Sequence, residues 1–289
     1  MDKNTIFDKK NRIFLTVVLS TVIWCIFRFL LLIYVPPESL GSQLEPTTII
    51  KSNLLEFSMA IYFLAYIIAF TIIFTVIQEH MEGNKLVKGT SFGMVLASIW
   101  YFGLALGIPS FFDMPFEHEM INAFGDAIPV LLFGIISGLL LTEDNKTPRS
   151  KSLKDLLPIF IFIIPLVAIH WLYSFIFTDP TLATTMVIVV ILTLEQMITI
   201  AGLGLLTGIM YFICSPGIRF QSEMKNHLFF AVCIFGFHWI WFNFFFNLHY
   251  VGIFLETMII AIIDTILVFL TLIIVNKVVR INMNRKNVD

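Results

Sequence analysis

The stretch MINAFGDAIPV at residues 120–130 has a counterpart in MIIAIIDTILV at residues 258–268. Six of the eleven aligned positions are identical, and one of them pairs Asp126 with Asp264, 138 residues later. Both stretches are almost wholly apolar apart from that carboxylate. An acidic residue kept at the same place in two apolar segments suggests that one segment is a copy of the other.

A second match supports the same conclusion. It pairs Glu56 with Glu195 at an offset of 139 residues, again close to half of the 289-residue chain. The two offsets agree with the order of the apolar segments along the chain. We therefore predict an ancestral duplication, with a first repeat at residues 1–145 and a second at residues 146–289.

The composition is that of a membrane protein. Hydrophobic residues make up 58% of the chain and charged residues 13%, and the mean hydropathy is +0.91. A soluble domain has about 25% charged residues. Lipid leaves backbone groups unsatisfied outside helices and closed barrels, and no segment alternates as barrel strands do. Apolar segments long enough to span a bilayer are predicted at residues 14–35, 47–78, 89–112, 120–142, 156–178, 184–214, 226–247 and 252–277.

The sequence thus predicts an all-α integral membrane protein with eight transmembrane helices. They would form a parallel tandem duplication of a four-helix unit, joined by the polar segment at residues 143–155. Because each unit has an even number of spans, both units enter the membrane in the same orientation. The pseudo-axis of the repeat then lies along the membrane normal.

Basic residues are segregated to one side of the predicted membrane. Sixteen of the eighteen Lys and Arg residues precede the first span, follow the last, or lie after spans two, four and six. This bias predicts a multi-pass protein of the cell membrane with both termini in the cytoplasm. The bilayer is the predicted partner, nothing suggests nucleic-acid binding, and the oligomeric state is left open. The spacing of Cys25, Cys214 and Cys233 predicts no disulfide framework.

Ionisable residues inside the spans are the candidates for function, because each costs about 2.5–3.5 kcal/mol on membrane insertion. At about 1.5 Å per residue, most of them fall in one layer at or just outside the midplane. The candidates are Arg28, Glu56, Asp126, His170, Glu195, His238 and Asp264, with Glu256 near the outer end of the last span.

In the first half, we expect Arg28 to pair with Glu56 or Asp126 through charge-assisted hydrogen bonds. One interpretation is a salt bridge that fixes the register of two helices. The other is an anion or proton site in which Arg28 tunes a carboxylate. Arg28 itself cannot carry a proton, because a guanidinium does not deprotonate in proteins.

In the second half, four successive spans each supply one possible metal ligand, namely His170, Glu195, His238 and Asp264. Two imidazoles with two carboxylates would suit zinc, iron or manganese in a bundle core. Alternatively, His170 and His238 could be the axial ligands of a b-type haem. The plain alternative is that both histidines are hydrogen-bonded packing residues.

The plan of two four-helix units is similar to that of haem A synthases. In that family, a second-span glutamate precedes a haem-ligand histidine by three residues. Here Glu56 is followed by Met59 and Glu195 by Ile198, so those ligands are missing and we assign no family. The nucleophile elbow Gly-x-Ser-x-Gly, the His-Glu-x-x-His zinc motif and a Walker loop are also missing from the sequence.

Two packing expectations follow from small residues and proline. Glycines four residues apart let helices approach closely in lipid, and we predict such contacts for three pairs. Pro165 should kink the fifth span. The glycine pairs are Gly103/Gly107, Gly134/Gly138 and Gly204/Gly208.

The leading functional hypothesis is a proton-coupled transporter of a small or lipid-like solute, with its site between the halves. Glu195 and Asp264 would be the titrating carboxylates, and Arg28 with Glu56 would order the other half. A membrane-embedded enzyme or redox subunit with a metal or haem is the alternative. A third possibility is a noncatalytic accessory subunit, so whether the protein is an enzyme stays open.

Overall fold

The computed structural model describes residues 3–34, 47–52, 54–111, 116–142, 159–176, 194–249, 251 and 254–286. Every regular element in these ranges is helical. A 3₁₀ turn at Ser215–Gly217 follows α7, and a π-helical segment, Phe230–Gly236, joins α8 to α9. The α-helices are α1 Lys3–Tyr34, α2 Thr48–Lys51, α3 Leu55–Ile77, α4 Lys85–Phe111, α5 Phe116–Leu141, α6 Ile163–Ile176, α7 Leu194–Cys214, α8 Glu223–Phe229, α9 Phe237–His249 and α10 Phe254–Lys286.

The described helices are those of a polytopic membrane protein. Among them, six apolar stretches are long enough to cross a bilayer. The outer surface is covered by large apolar side chains such as Phe29, Ile164 and Ile274, each at least 60% exposed. A soluble protein rarely exposes so much apolar surface. The six stretches are Asp8–Leu31, Phe57–Ile77, Ala123–Leu141, Ile200–Gly217, Glu223–Phe245 and Thr257–Lys277.

The third and fifth predicted spans correspond to α4 and to α6, whose apolar part, Ile163–Tyr173, is shorter. The count of eight spans therefore stays a prediction. The second predicted span is divided into α2 and α3. The predicted linker at residues 143–155 lies outside the described residues.

The prediction that Pro165 kinks the fifth span was wrong. The chain makes a turn at residues 159–162, and α6 begins only at Ile163. Pro165 therefore lies in the first turn of the helix. A proline there breaks no helical hydrogen bond, because the first backbone N–H groups of a helix have no partner within it.

Helices α4 and α5 cross at glycines. Gly134 and Gly138 of α5 lie against Gly89 and Gly93 of α4, which have the same four-residue spacing. A Cβ atom placed on Gly138 would lie 2.7 Å from the Cα of Gly89. Backbones this close leave no room for side chains, as expected for small residues at a membrane helix crossing.

The other predicted glycine contacts are of two kinds. Gly204 and Gly208 of α7 face the backbone at residues 159–163, at the start of α6. Gly103 of α4 instead faces the ring of Phe242 in α9. The surroundings of Gly107 lie outside the described side chains.

The described helices pack around an aromatic core. Helix α5 packs on α4 and α1, and α1 packs on α3, while α10 packs on α6, the π-helical segment and α9. Helix α4 also contacts α7, and α3 contacts α9. The largest fully buried side chains include Trp100, Tyr66, Phe63, Phe70, Phe230 and Phe235.

Candidate functional site

The carboxylate of Asp264 is the most heavily hydrogen-bonded side chain of the described candidates. It lies on α10 and is fully buried. Its Oδ2 atom is 3.1 Å from Nε2 of His170 on α6 and 2.9 Å from Nε1 of Trp239 on α9. The hydroxyl of Tyr173 is 3.4 Å from Oδ1. These four side chains from three helices are called the Asp264 cluster below.

The local sequence explains how α6 contributes twice to this cluster. His170 and Tyr173 are three residues apart, a spacing that puts two side chains on the same face of a helix. Both therefore reach the same carboxylate, one to each oxygen. An ionised carboxylate only accepts hydrogen bonds, so His170, Tyr173 and Trp239 act as its three donors.

The first half of the chain contains a second buried carboxylate. Asp126 on α5 accepts from Nη1 of Arg28 on α1, at 3.4 Å to Oδ1 and 3.5 Å to Oδ2. The Asp126 side chain is 5% exposed and that of Arg28 is 15% exposed. Charge-assisted N–H to carboxylate bonds are usually about 2.7–2.9 Å long, so this pair is loose. Of the two pairings expected for Arg28, the structure describes this one.

His238 occupies a separate aromatic site. Its ring is fully buried, and its Nδ1 atom is 2.8 Å from the hydroxyl of Tyr66 on α3. The rings of Phe70 and Trp100 lie edge-on to it, at centroid distances of 5.6 and 6.1 Å. The Nε2 atom has no hydrogen-bond partner within the described part of the chain. Such an imidazole has one nitrogen fixed and one available.

Helix α9 connects these two sites. His238 bonds to Tyr66 on α3, and the next residue, Trp239, bonds to Asp264 on α10. The π-helical segment ends at Gly236, directly before α9. Short π-helical stretches inside α-helices are frequently found at functional sites. Here the segment lies just before His238 and Trp239, which contact α3 and α10.

The remaining predicted residues are placed only by their backbone. Glu56 lies in the first turn of α3, Glu195 in α7 and Glu256 in α10, and their side chains lie outside the described ones. Whether Glu56 contacts Arg28, or Glu195 contacts Asp264, therefore stays a prediction.

The proposed metal set is brought together only in part. His170 and Asp264 are in contact, whereas the described bond of His238 goes to Tyr66. Groups of three or more His, Cys, Asp or Glu side chains that could hold a metal do not occur among the described residues. The metal and haem predictions are otherwise untested, because the side chain of Glu195 is not included.

Sequence reasoning missed three members of these sites. Tyr66, Tyr173 and Trp239 supply hydrogen-bond donors, but in a chain with 15% aromatic residues they look like ordinary packing. Only Tyr173 had a usable signal, since it lies three residues after His170. The partners of Tyr66 and Trp239 depend on the rotation of α9, which the sequence does not reveal.

Comparisons with known proteins add no relative. No protein-family model, no curated protein and no solved structure matches the chain. The functional argument therefore rests on the geometry of the Asp264 cluster, the Arg28–Asp126 pair and His238.

Proposed function

We propose that this polytopic membrane protein is a proton-coupled transporter, and that His170 and Asp264 carry the proton. The observation that supports this most directly is a fully buried carboxylate bonded to an imidazole between three helices. Ionisable groups inside a membrane protein commonly mark ion pathways and proton relays. A purely structural contact at this position could be made by uncharged side chains.

The chemistry of the pair suits proton transfer. A carboxylate and an imidazole can each bind and release a proton, and histidine does so near neutral pH in its ordinary state. Tyr173 and Trp239 hold the carboxylate in place from two further directions. The proton can thus be exchanged at His170, whose side chain is 14% exposed. The Asp264 side chain, at 0% exposure, stays in place.

The two halves support this assignment through their likeness and their difference. Asp126 and Asp264 occupy matched positions 138 residues apart. Each contacts a basic side chain on the first predicted span of its own half, which is α1 for Asp126 and α6 for Asp264. In the first half that side chain is Arg28, which keeps its proton; in the second it is His170, which can release it. This matched arrangement also favours the predicted duplication, with proton chemistry in the second repeat.

The test is proton movement in proteoliposomes containing a pH-sensitive dye. An inward solute gradient should change the internal pH with the wild-type protein and not with Asp264→Asn or His170→Gln. Asp8→Asn is the matched control, because Asp8 is 59% exposed and bonded only to Arg12 among described residues. The assignment would be refuted if both cluster variants kept the pH signal, or if the control Asp8→Asn lost it to the same extent.

A metal- or haem-binding enzyme or redox subunit is the second candidate. The observation in its favour is that Nε2 of His238 has no partner among the described residues, while Nδ1 is hydrogen-bonded to Tyr66. A ligating imidazole is usually held in this way, by a hydrogen bond from the nitrogen that does not bind the metal. The visible spectrum and metal content of the purified protein test it. A Soret band or stoichiometric metal that is lost in His238→Ala would replace transport as the leading function.

A further inference from the structure

Helix α1 presents a buried polar stripe to its neighbours. Ser20, Trp24 and Arg28 are spaced by four residues, so they lie above one another on one helix face. Ser20 and Trp24 are 1% and 2% exposed. The Oγ atom of Ser20, Nε1 of Trp24 and Nε of Arg28 are buried without a hydrogen-bond partner among the residues that the structure describes.

Helix α5, which packs on α1, carries a further buried hydroxyl of the same kind. Ser137 follows Asp126 by eleven residues, close to three full turns, and therefore lies on the same face. Ser137 is fully buried, and its hydroxyl also lacks a partner in the described ranges. The seam is defined here as Ser20, Trp24 and Arg28 of α1 with Asp126 and Ser137 of α5.

Besides Ser20 and Ser137, the hydroxyls of Thr21 and Thr142 lack a partner among the described residues, whereas other hydroxyls of the bundle are satisfied within their own helix. The hydroxyls of Thr16, Thr71, Thr207 and Thr265 each donate to the backbone carbonyl four residues earlier, at 2.7 or 2.8 Å. That bond is the usual way in which a helix satisfies a hydroxyl away from water. Ser20 and Ser137 do not use it. An unsatisfied buried polar group costs about 1–3 kcal/mol, so a row of them suggests that another molecule supplies partners.

The donors define what that molecule offers. The indole N–H of Trp24 and the Nε–H of Arg28 can only donate hydrogen bonds, so their partner must present acceptor atoms. Arg28 also carries a charge that Asp126 compensates only loosely, at 3.4 and 3.5 Å. An oxyanion fits both features. An oxyanion can neutralise the part of the Arg28 charge that Asp126 leaves uncompensated.

We propose that the seam is the path by which a small oxyanion, such as a carboxylate, reaches Arg28. The proposal rests on the transport function and names its substrate class. With both termini in the cytoplasm, Ser20 lies about 12 Å and Ser137 about 16 Å below the Arg28–Asp126 pair at 1.5 Å per residue. Both therefore line the cytoplasmic half of the path. The anion would bind at Arg28, while the proton is carried separately by His170 and Asp264.

Cysteine accessibility tests the seam without knowledge of the substrate. Ser20→Cys and Ser137→Cys are each introduced into full-length protein whose Cys25, Cys214 and Cys233 are replaced by serine or alanine. Membrane vesicles that expose either face are treated with anionic sulfonatoethyl or cationic trimethylammoniumethyl methanethiosulfonate. Only a hydrated thiol reacts readily, because burial in apolar surroundings suppresses the thiolate.

The matched controls are Leu19→Cys on α1 and Leu139→Cys on α5, which lie on the outer surface at 40% and 52% exposure. We expect both seam cysteines to react about tenfold or more faster than their neighbours, from the cytoplasmic face. Two seam positions on different helices keep the test valid if one variant does not fold. Seam cysteines as slow as the controls would show a dry contact and overturn the proposal.

Charge selectivity tests the oxyanion. The ratio of anionic to cationic labelling rates at Ser137→Cys should fall about threefold or more with Arg28→Gln and rise with Asp126→Asn, because local charge attracts the opposite reagent. An unchanged ratio in both variants would overturn the substrate class. Labelling requires no transport. Charge-selective labelling together with no pH response in the proteoliposome dye assay would refute the proton-coupled function and leave the anion path in place.

Discussion

Nε1 of Trp239 donates a hydrogen bond of 2.9 Å to Oδ2 of Asp264, and this bond joins α9 to α10 inside the bundle. Two residues later, Nε1 of Trp241 is buried with no partner in the described chain. The indole N–H of Trp239 thus donates a hydrogen bond, whereas that of Trp241 has no acceptor among the described residues. This difference provides a matched pair of variants.

Trp239→Phe should lower the free energy of unfolding by about 1.5–3 kcal/mol more than Trp241→Phe does, which is the range for a hydrogen bond to a charged group. Both changes remove the same atoms from the same helix. Thermal or denaturant unfolding in detergent measures the difference. Equal losses in the two variants would mean that the Trp239 bond contributes nothing to stability.

The Arg28–Asp126 pair should behave as a buried ion pair. Arg28→Met or Asp126→Leu alone leaves one charge uncompensated, and we expect a loss of about 3–5 kcal/mol. The double variant should recover most of that stability, because no buried charge remains. Folded yield and thermal unfolding are the measurements.

The surface pair between Arg12 and Asp8, at 2.7 Å with both side chains about half exposed, is the control. Arg12→Met should change stability by no more than about 1 kcal/mol. A double variant as unstable as the single variants would contradict the interpretation of Arg28–Asp126 as an isolated pair. Its activity shows separately whether the charges are needed for transport.

Gly134→Ala should destabilise the protein because α4 and α5 meet there backbone to backbone. The added Cβ would collide with Gly93, and forcing atoms into a packed contact costs about 1–3 kcal/mol. Gly202→Ala is the control, since the three atoms nearest to its Cβ all belong to the ring of Phe102, the closest at 2.8 Å, and a side-chain ring can shift. Thermal unfolding of the two variants is the measurement. A lower unfolding temperature for Gly202→Ala than for Gly134→Ala would contradict this account.

Lys88 precedes the third predicted span and is 1% exposed, with its Nζ atom donating to the carbonyl of Gln78 at 2.9 Å. Burial lowers the pKa of Lys88 below its ordinary value of 10.5, and the charge of Glu79 opposes that shift. The unfolded chain therefore binds more protons near this side chain as pH approaches 10.5. Stability should rise with pH in that window through this group.

Lys88→Met should remove this rise as the pH approaches 10.5, while Lys225→Met, at an exposed site, should keep it. Unfolding temperatures across this range in detergent give the comparison with wild type. A slope unaffected by Lys88→Met would show that the ammonium of Lys88 is not the group responsible.

The sequence was sufficient for the helical class and for the positions of the apolar helices, because hydropathy is read directly from composition along the chain. It also gave Asp126, Asp264, Arg28 and His170 as candidates, since charges stand out in lipid, and the structure brings Arg28 to Asp126 and His170 to Asp264. The sequence did not identify Trp239, whose role depends on helix rotation.

Local backbone departures were equally hard to predict. The late start of α6 and the π-helical segment Phe230–Gly236 occur in apolar stretches with no charge to mark them, and the division of the second span into α2 and α3 falls between Lys51 and Glu56. Gly89 and Gly93 did carry a signal, the same four-residue spacing as Gly134 and Gly138. That these two pairs face each other is known only from the fold.

The π-helical segment has a consequence for how the two sites can change. Converting Phe230–Gly236 from π-helical to α-helical bonding with no residue deleted would turn all of α9 by about 100°, because the α-helical form takes about one residue fewer over the same angle. That turn would carry His238 away from Tyr66 and Trp239 away from Asp264 in the same step. The aromatic site and the carboxylate site therefore share a single angular setting, and neither can be re-aimed along α9 while the other is kept.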